Sequence, residues 1–343
     1  MTIDNIVRPL AWRWRFGPLS GRLILTLWPW AFLISLVIFF ETWARLAFAT
    51  SFIFNAYNVQ SIAVFAAAPL LLGLGQTFVI IAGGIDLSVG FVMGLAAVAM
   101  AQTMRHLATG TPAGAAFGVG VLAALCIALV PGTVNGVLIA KLRVPPFIGT
   151  LGMYGMARGA GYILADGATV SIDNDWLGFV GNGKILGVPM PVVITVAIAA
   201  TMHYVLSQTR FGRYIYAVGS NKDAALRAGV NVQRHTIAIY VISALCAAAG
   251  GIIFTARFSA GAAQAGEPLL LDSIAAVVIG GASLFGGSGT IIGSIIGALI
   301  IAVIQFGLVF VDVKPFWQFA AVGAVIVVSV IVDQSGRGAR SGK

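Results

Sequence analysis

Stretches of roughly twenty apolar residues recur along the whole length of this chain, and they constrain its fold more than any other feature. Approximate spans fall at 23–40, 61–81, 88–104, 117–140, 147–164, 190–206, 236–256, 273–285, 287–311 and 316–333. A helix needs about 20 such residues to cross the hydrocarbon core of a bilayer. The pattern predicts an all-α polytopic membrane protein with about ten transmembrane helices. The span 273–285 is short and reads as a half-helix or re-entrant segment. Only 9% of the residues are charged, against about 25% in soluble domains. No long polar stretch leaves room for a soluble domain.

The net charge of +9 could suggest nucleic acid, but its distribution argues otherwise. With the N-terminus inside, segments 1–22, 141–146, 207–235 and 334–343 face the cytoplasm and carry 14 of the 20 Lys and Arg. That bias sets the orientation, with both termini cytoplasmic. The acids Glu41, Asp166, Asp173, Asp175, Glu267, Asp272 and Asp312 fall outside or near the outer border. The expected organisation is a cytoplasmic segment 1–22, one membrane domain 23–333 and a cytoplasmic tail 334–343. In "RPLAWRWRF" (Arg8 to Phe16) Arg alternates with Trp, which beside a membrane span reads as an interfacial anchor in the lipid bilayer rather than a nucleic-acid patch. The apolar run after it is too long for a cleavable signal.

Catalytic chemistry finds little support. Cys126 and Cys246 lie in apolar tracts and read as buried small hydrophobes. The three histidines are scattered, with no metal spacing. "GFVGNGKI" (Gly178 to Ile185) fits seven positions of a phosphate-binding loop, but Ile185 stands where Ser or Thr must hold magnesium. The chain is expected to bind no cofactor of its own and to be no enzyme.

The glycines are more informative. In "VIIAGGIDLSVG" (Val79 to Gly90), Gly83-Gly84 interrupt an apolar run just before Asp86, the only charged residue between Leu46 and Met104. A charged Asp in the middle of a membrane helix costs about 2.5–3.5 kcal/mol. If the helix breaks at Gly83-Gly84, Asp86 can cap a new helix starting near Leu87, worth about 0.5–2 kcal/mol. Alternatively Asp86, with Ser88, faces a solute pathway. "VVIGGASLFGG" (Val277 to Gly287) echoes this segment, with Gly280-Gly281 in the matching place. Glycine-broken helices at corresponding places in two weakly similar halves mark internally repeated transporters. Arg158, in "MYGMARGAGYI", raises the same question as Asp86: it pairs with Asp86 or another acid, lines a pathway or snorkels to an interface.

The longest inner loop lies at 207–235. Within it, Asn221 to Ala228 reads as a short helix: Asn221 at the N-cap, Asp223 in the first turn, Ala224 and Ala225 inside, and Gly229 at a left-handed cap. So short a helix persists only when docked. A charged loop with a helical knob suggests a cytoplasmic partner.

Five segments together carry a resemblance: "GQTFVIIAGGIDLSVG" (75–90), "GTVNGVLIAKLRVPPFIGTLG" (132–152), "ARGAGYI" (157–163), "TRFGRYIYAVGSNKDAALRAGVNV" (209–232) and "VIGGASLFGGSGTIIGSIIGALI" (278–300). Over about residues 55–333 the chain resembles the permease subunits of bacterial ATP-binding-cassette importers for monosaccharides, the branch with the ribose, xylose, arabinose and galactose permeases. It departs at Gln305, where that family usually has Asn before Gly-Leu. The resemblance implies an inner-membrane protein that pairs with a second permease copy or a related permease. It implies a periplasmic sugar-binding protein outside and an ABC ATPase inside, which carries the ATP and magnesium. The segment with Asn221, Ala224, Ala225 and Gly229 resembles the family's coupling segment. The rival class is an ion-coupled secondary transporter. It too has broken helices, but it needs buried titratable or ion-coordinating groups and no docking loop.

Overall fold

The structure, a computed structural model, describes residues 18–314, 316–318, 320–324 and 327, with side chains from residue 27 onward. The Arg/Trp segment before residue 18, much of the predicted span 316–333 and the tail 334–343 lie outside these residues. The described chain is almost entirely helical: α1 (Pro18–Phe48), α2 (Ala56–Ile81), α3 (Val89–Leu107), α4 (Ala113–Ala140), α5 (Pro146–Leu164), α6 (Asp175–Asn182), α7 (Met190–Gln208), α8 (Arg210–Ser220), α9 (Lys222–Arg227), α10 (Val232–Phe258), α11 (Glu267–Ile279) and α12 (Ile291–Phe310). Two antiparallel two-residue pairs complete it. Strand β1 (Val170–Ser171) pairs with β4 (Ala260–Gly261), and β2 (Lys184–Ile185) with β3 (Val188–Pro189). The stretch that mimics a phosphate-binding loop forms the end of α6 and the start of this second hairpin.

Among the described residues, six helices are long and apolar enough to cross a membrane: α1 from Leu27, α2, α4, α7, α10 and α12. Helices α3 and α5 coincide with two further predicted spans and, at 19 residues each, are about 28 Å long. Helix α11, with 13 residues, reaches only about 20 Å. The expected half-helix is therefore present, but at Glu267–Ile279 rather than 273–285. Gly280 and Gly281 end it instead of lying inside it.

Helix α10 is the hub and packs on α2, α3 and α4. Around it α2 and α3 are buried on nearly every face, whereas α4 and α7 keep an outward apolar face. That outward face carries Cys126, so only Cys246 is the buried small hydrophobe expected of both. Helix α1 packs on α12, with Phe40 and Phe306 meeting at Phe52 of the turn that follows α1. The Glu41 carboxylate holds the turn into α2, accepting from the backbone N–H of Phe52 (2.8 Å) and Ile53 (3.0 Å) and pairing with Arg45.

The connection from α10 to α11 is not the outer loop expected from the acids. Residues 260–266 run back along α3: Gly261 packs on Ala97 and Ala101, Ala263 on Gly94, and Gly266 on Gly90. Non-helical backbone at membrane depth survives only where protein surrounds it, and Gly261, Ala262, Ala263 and Gly266 are all buried. Glu267 consequently begins α11 beside the start of α3, not at the outer mouth. Asp272 is likewise buried within the bundle, where Gln305 of α12 donates to its Oδ2 at 2.8 Å. The residue that departs from the family pattern thus has a structural partner.

Candidate functional site: two broken helix pairs and the segment that grips them

Helices α2 and α11 end in the same way. At the first end Gly83 N–H donates to Ile80 O and Gly84 N–H to Val79 O, both at 2.9 Å, with Gly83 at φ +83°. At the second, Gly281 N–H donates to Val278 O (2.9 Å) and Ala282 N–H to Val277 O (3.1 Å), with Gly281 at φ +90°. Both are Schellman ends, which need a left-handed residue that only glycine adopts without strain. The motif falls on the first glycine of one pair and the second of the other, so the echo is real but one residue out of register. The spare glycines make room instead. A Cβ on Gly84 would lie 2.6 Å from the Tyr240 hydroxyl, and one on Gly280 would overlap the Gly293 carbonyl.

After Gly84 the chain turns back along α2. The Gln76 side-chain amide donates to the Asp86 carbonyl oxygen, which puts Asp86 about one and a half turns up from the end of α2. Thr150 Oγ1 on α5 donates to Ile85 O at 3.1 Å. Asp86 does not cap the new helix, whose N-cap is Ser88 without a side-chain cap bond; it holds the turn just before it, with its Oδ1 accepting from Ser88 N–H (3.0 Å) and Ser88 Oγ (2.6 Å). Its Oδ2 accepts from Ser243 Oγ of α10 at 2.9 Å, and Asn135 Nδ2 of α4 donates to Ser88 Oγ at 2.9 Å. Asp86 is only 2% exposed, so it stands behind the turn rather than in an open pathway. Neutral donors satisfy its charge. Arg158 does not pair with it; its guanidinium lies over the Phe91 ring, 5.4 Å from the centroid. Among the described residues the only ion pair is Arg45–Glu41.

The predicted helical knob is α9. Asn221 Oδ1 accepts from Ala224 N–H at 2.9 Å, Asp223 lies in the first turn, and Gly229 at φ +83° closes a third Schellman end. This six-residue helix is held by a small cluster of Val218, Ala225, Val230 and Val232. Ala225 of the expected coupling segment is therefore turned inward, at 4% exposure, and is not on the outward face of α9 with Ala224. Leu226, 61% exposed, stands outward beside it. Replacing Asn221 by alanine removes the cap and is expected to cost about 1 kcal/mol. Limited proteolysis should then cut within 221–229 faster than in the wild type.

Helix α8 carries the knob to the breaks. Gly219 lies so close to the Ile81 carbonyl that a Cβ there would overlap it. Gly287 N–H donates to the same carbonyl at 2.8 Å. Tyr216 Oη donates to Gly289 O at 2.8 Å; burial raises the Tyr216 phenol above its usual pKa, so it stays a donor at neutral pH. The ends of α2, of α8 and of the α11–α12 connection thus meet at one backbone junction. Between it and the 141–146 turn lies a cavity of about 990 Å³, whose lining includes Gly83, Gly84, Arg143, Lys222 and Tyr240.

Gln76, Asn135 and Ser243 complete this polar nest, and no motif in the sequence marks them. Each is a polar group in an apolar span, the signal that exposed Asp86. Single uncharged residues of this kind are common enough in membrane helices that only their convergence makes them stand out.

A helical membrane bundle with two matching broken helix pairs, both gripped by one surface segment, defines a multi-pass transport permease. The chain belongs to the family described as the branched-chain amino acid transport system permease component, whose model matches residues 58–330. It is 38% identical to the ribose import permease protein of Escherichia coli K12 over 82% of this chain and 86% of that one. It is 37% identical to the fructose import permease protein of Rhizobium meliloti, over 82% and 79%. Against the D-allose transport system permease protein of E. coli K12 the figures are 34%, 81% and 83%.

Proposed function

We propose that this chain is the membrane-spanning subunit of an ATP-driven sugar importer in the bacterial inner membrane. The observation that carries the reading is the junction at Gly219, where α8 touches the backbone of both breaks. A push on α9 is transmitted through α8 as a rigid backbone contact, because no side chain intervenes to absorb it. The positive-inside bias puts α8 and α9 in the cytoplasm. A separate ABC ATPase, carrying ATP and magnesium, then docks on the outward face of α9, which presents Lys222, Asp223, Ala224 and Leu226. A second copy or a related permease completes the pathway, and a periplasmic sugar-binding protein delivers the solute. The full bundle has about ten membrane helices with both termini inside. ATP-bound and ATP-free states of the ATPase must contact α9 differently, since only differential affinity shifts a two-state equilibrium. The rival ion-coupled mechanism fares poorly: Asp86 is sealed and fully hydrogen-bonded, and α9 would be idle.

The test uses the permease co-purified in lipid with its ATPase, with and without the sugar-loaded binding protein. Wild type should show hydrolysis stimulated by the loaded protein. Leu226→Asp, which puts a charge on the exposed face of α9, should cut that stimulation at least tenfold. Solute uptake driven by an ion gradient with no ATPase present would overturn the reading.

A further inference from the structure

Helix α5 presents a polar group that the breaks do not use. Tyr154 meets the Phe91 ring edge-to-face at 4.6 Å. Arg158 lies over the same ring at 5.4 Å. The Tyr154 hydroxyl donates to Glu267 Oε1 at 3.4 Å. Phe91 of α3 thus holds a guanidinium and a phenol of α5, and the phenol reaches a carboxylate of α11. Arg158 and Glu267 are exposed and Tyr154 is half-buried. Beside them the backbone of α5 is bare: a Cβ added at Gly152, Gly155 or Gly159 would meet nothing within 4 Å.

Depth decides what this face meets. Thr150 of α5 is bonded to Ile85 at the first break, and Glu267 follows Gly266, which packs on Gly90 at the start of α3. The group therefore lies inside the bundle's span, beyond the break. Arg158 does not snorkel towards the far end of α5. Its side chain reaches back along the helix to Phe91, the direction in which helical side chains point. Two charged groups held open at this depth are too costly to face acyl chains. The face must look onto water.

We propose that Tyr154, Arg158 and Glu267 form a transit site for a neutral sugar on the exposed face of α5; this rests on the importer reading above. Arg158 supplies only donors, Glu267 only acceptors and the phenol one of each kind. That set matches neighbouring hydroxyls, which donate and accept in equal measure. The opposed charges disfavour ionic ligands: Glu267 repels sugar acids and phosphates, and Arg158 repels amines. The bare glycines let a bulky ring pass close to the helix. The site is an open face, so it holds a sugar weakly, as a site on a conducting path must.

The experiment measures sugar moved per ATP hydrolysed by the complete complex in proteoliposomes, with D-ribose, D-fructose and D-allose each tried as the probe. Arg158→Gln and Glu267→Gln should lower that ratio about tenfold, since each removes a charge-assisted hydrogen bond. Tyr154→Phe, which deletes one neutral hydroxyl, should lower it about threefold. Arg158→Lys keeps the charge without the fork and should fall between wild type and Arg158→Gln. An unchanged ratio in the Gln variants, or uptake and hydrolysis declining together, overturns the transit site and leaves the importer reading intact. A wild-type complex that hydrolyses ATP but moves none of the three sugars overturns the sugar reading and this site with it.

Discussion

Gly219→Ala is expected to reduce ATP-driven uptake by more than tenfold. The new methyl group would have to occupy the space of the Ile81 carbonyl and would lie 2.8 Å from Gly287 N. Both neighbours are backbone, so neither moves without shifting α2 or the α11–α12 connection. Overpacking of this kind costs about 1–3 kcal/mol or more. Its effect here is larger on transport than on folding, because the contact joins the docked segment to both breaks. Gly118→Ala is the control, since nothing lies within 4 Å of a Cβ at that position. Alanine there improves helix propensity by up to about 1 kcal/mol, so Gly118→Ala should transport normally. Uptake into vesicles with matched amounts of each variant reads the comparison. Normal uptake by Gly219→Ala would mean that the junction carries no force.

Asp86 offers the second large effect. In Asp86→Ala the Ser88 N–H and the Ser88 and Ser243 hydroxyls lose their acceptor in a site sealed from water. Buried donors left unpaired cost about 1–3 kcal/mol each, so a loss of about 3–5 kcal/mol is expected, seen as a strong fall in thermal stability in detergent. Asp86→Asn keeps an oxygen for Ser88 and gains an amide that donates to Ser243 Oγ. Its loss should be nearer 1 kcal/mol, with transport largely retained. Should Asp86→Asn fold well and yet fail to transport, the negative charge itself acts in the cycle, and a purely structural role is insufficient.

The two readings of Asp86 illustrate how far residues in a row can be interpreted. A carboxylate after a glycine pair, in an otherwise apolar stretch, already pointed to a broken helix and a cap. The partners that make the buried carboxylate bearable come from α2, just before it, and from α4 and α10, far away along the chain. Nothing local indicates that Gln76, Asn135 and Ser243 converge on it. Arg158 shows the opposite failure. As the other charge within a span it was a natural partner for Asp86, but α5 turns it towards Phe91. Ala225 is small, a feature that serves packing against Val218 and Val230 as well as it would serve docking.

Hydrophobic run length, charge distribution and glycine pairs determined the class of this protein, the ends of most helices and the short helix at Asn221. Those properties follow from solvent and from backbone geometry, which act residue by residue. The depth of Glu267, the partner of Asp272, the sealing of Asp86 and the junction at Gly219 were decided by the tertiary structure alone. Each depends on contacts between segments that the chain alone does not bring together. Glycine permits a close approach, but a glycine in a row of residues does not say which backbone it will meet.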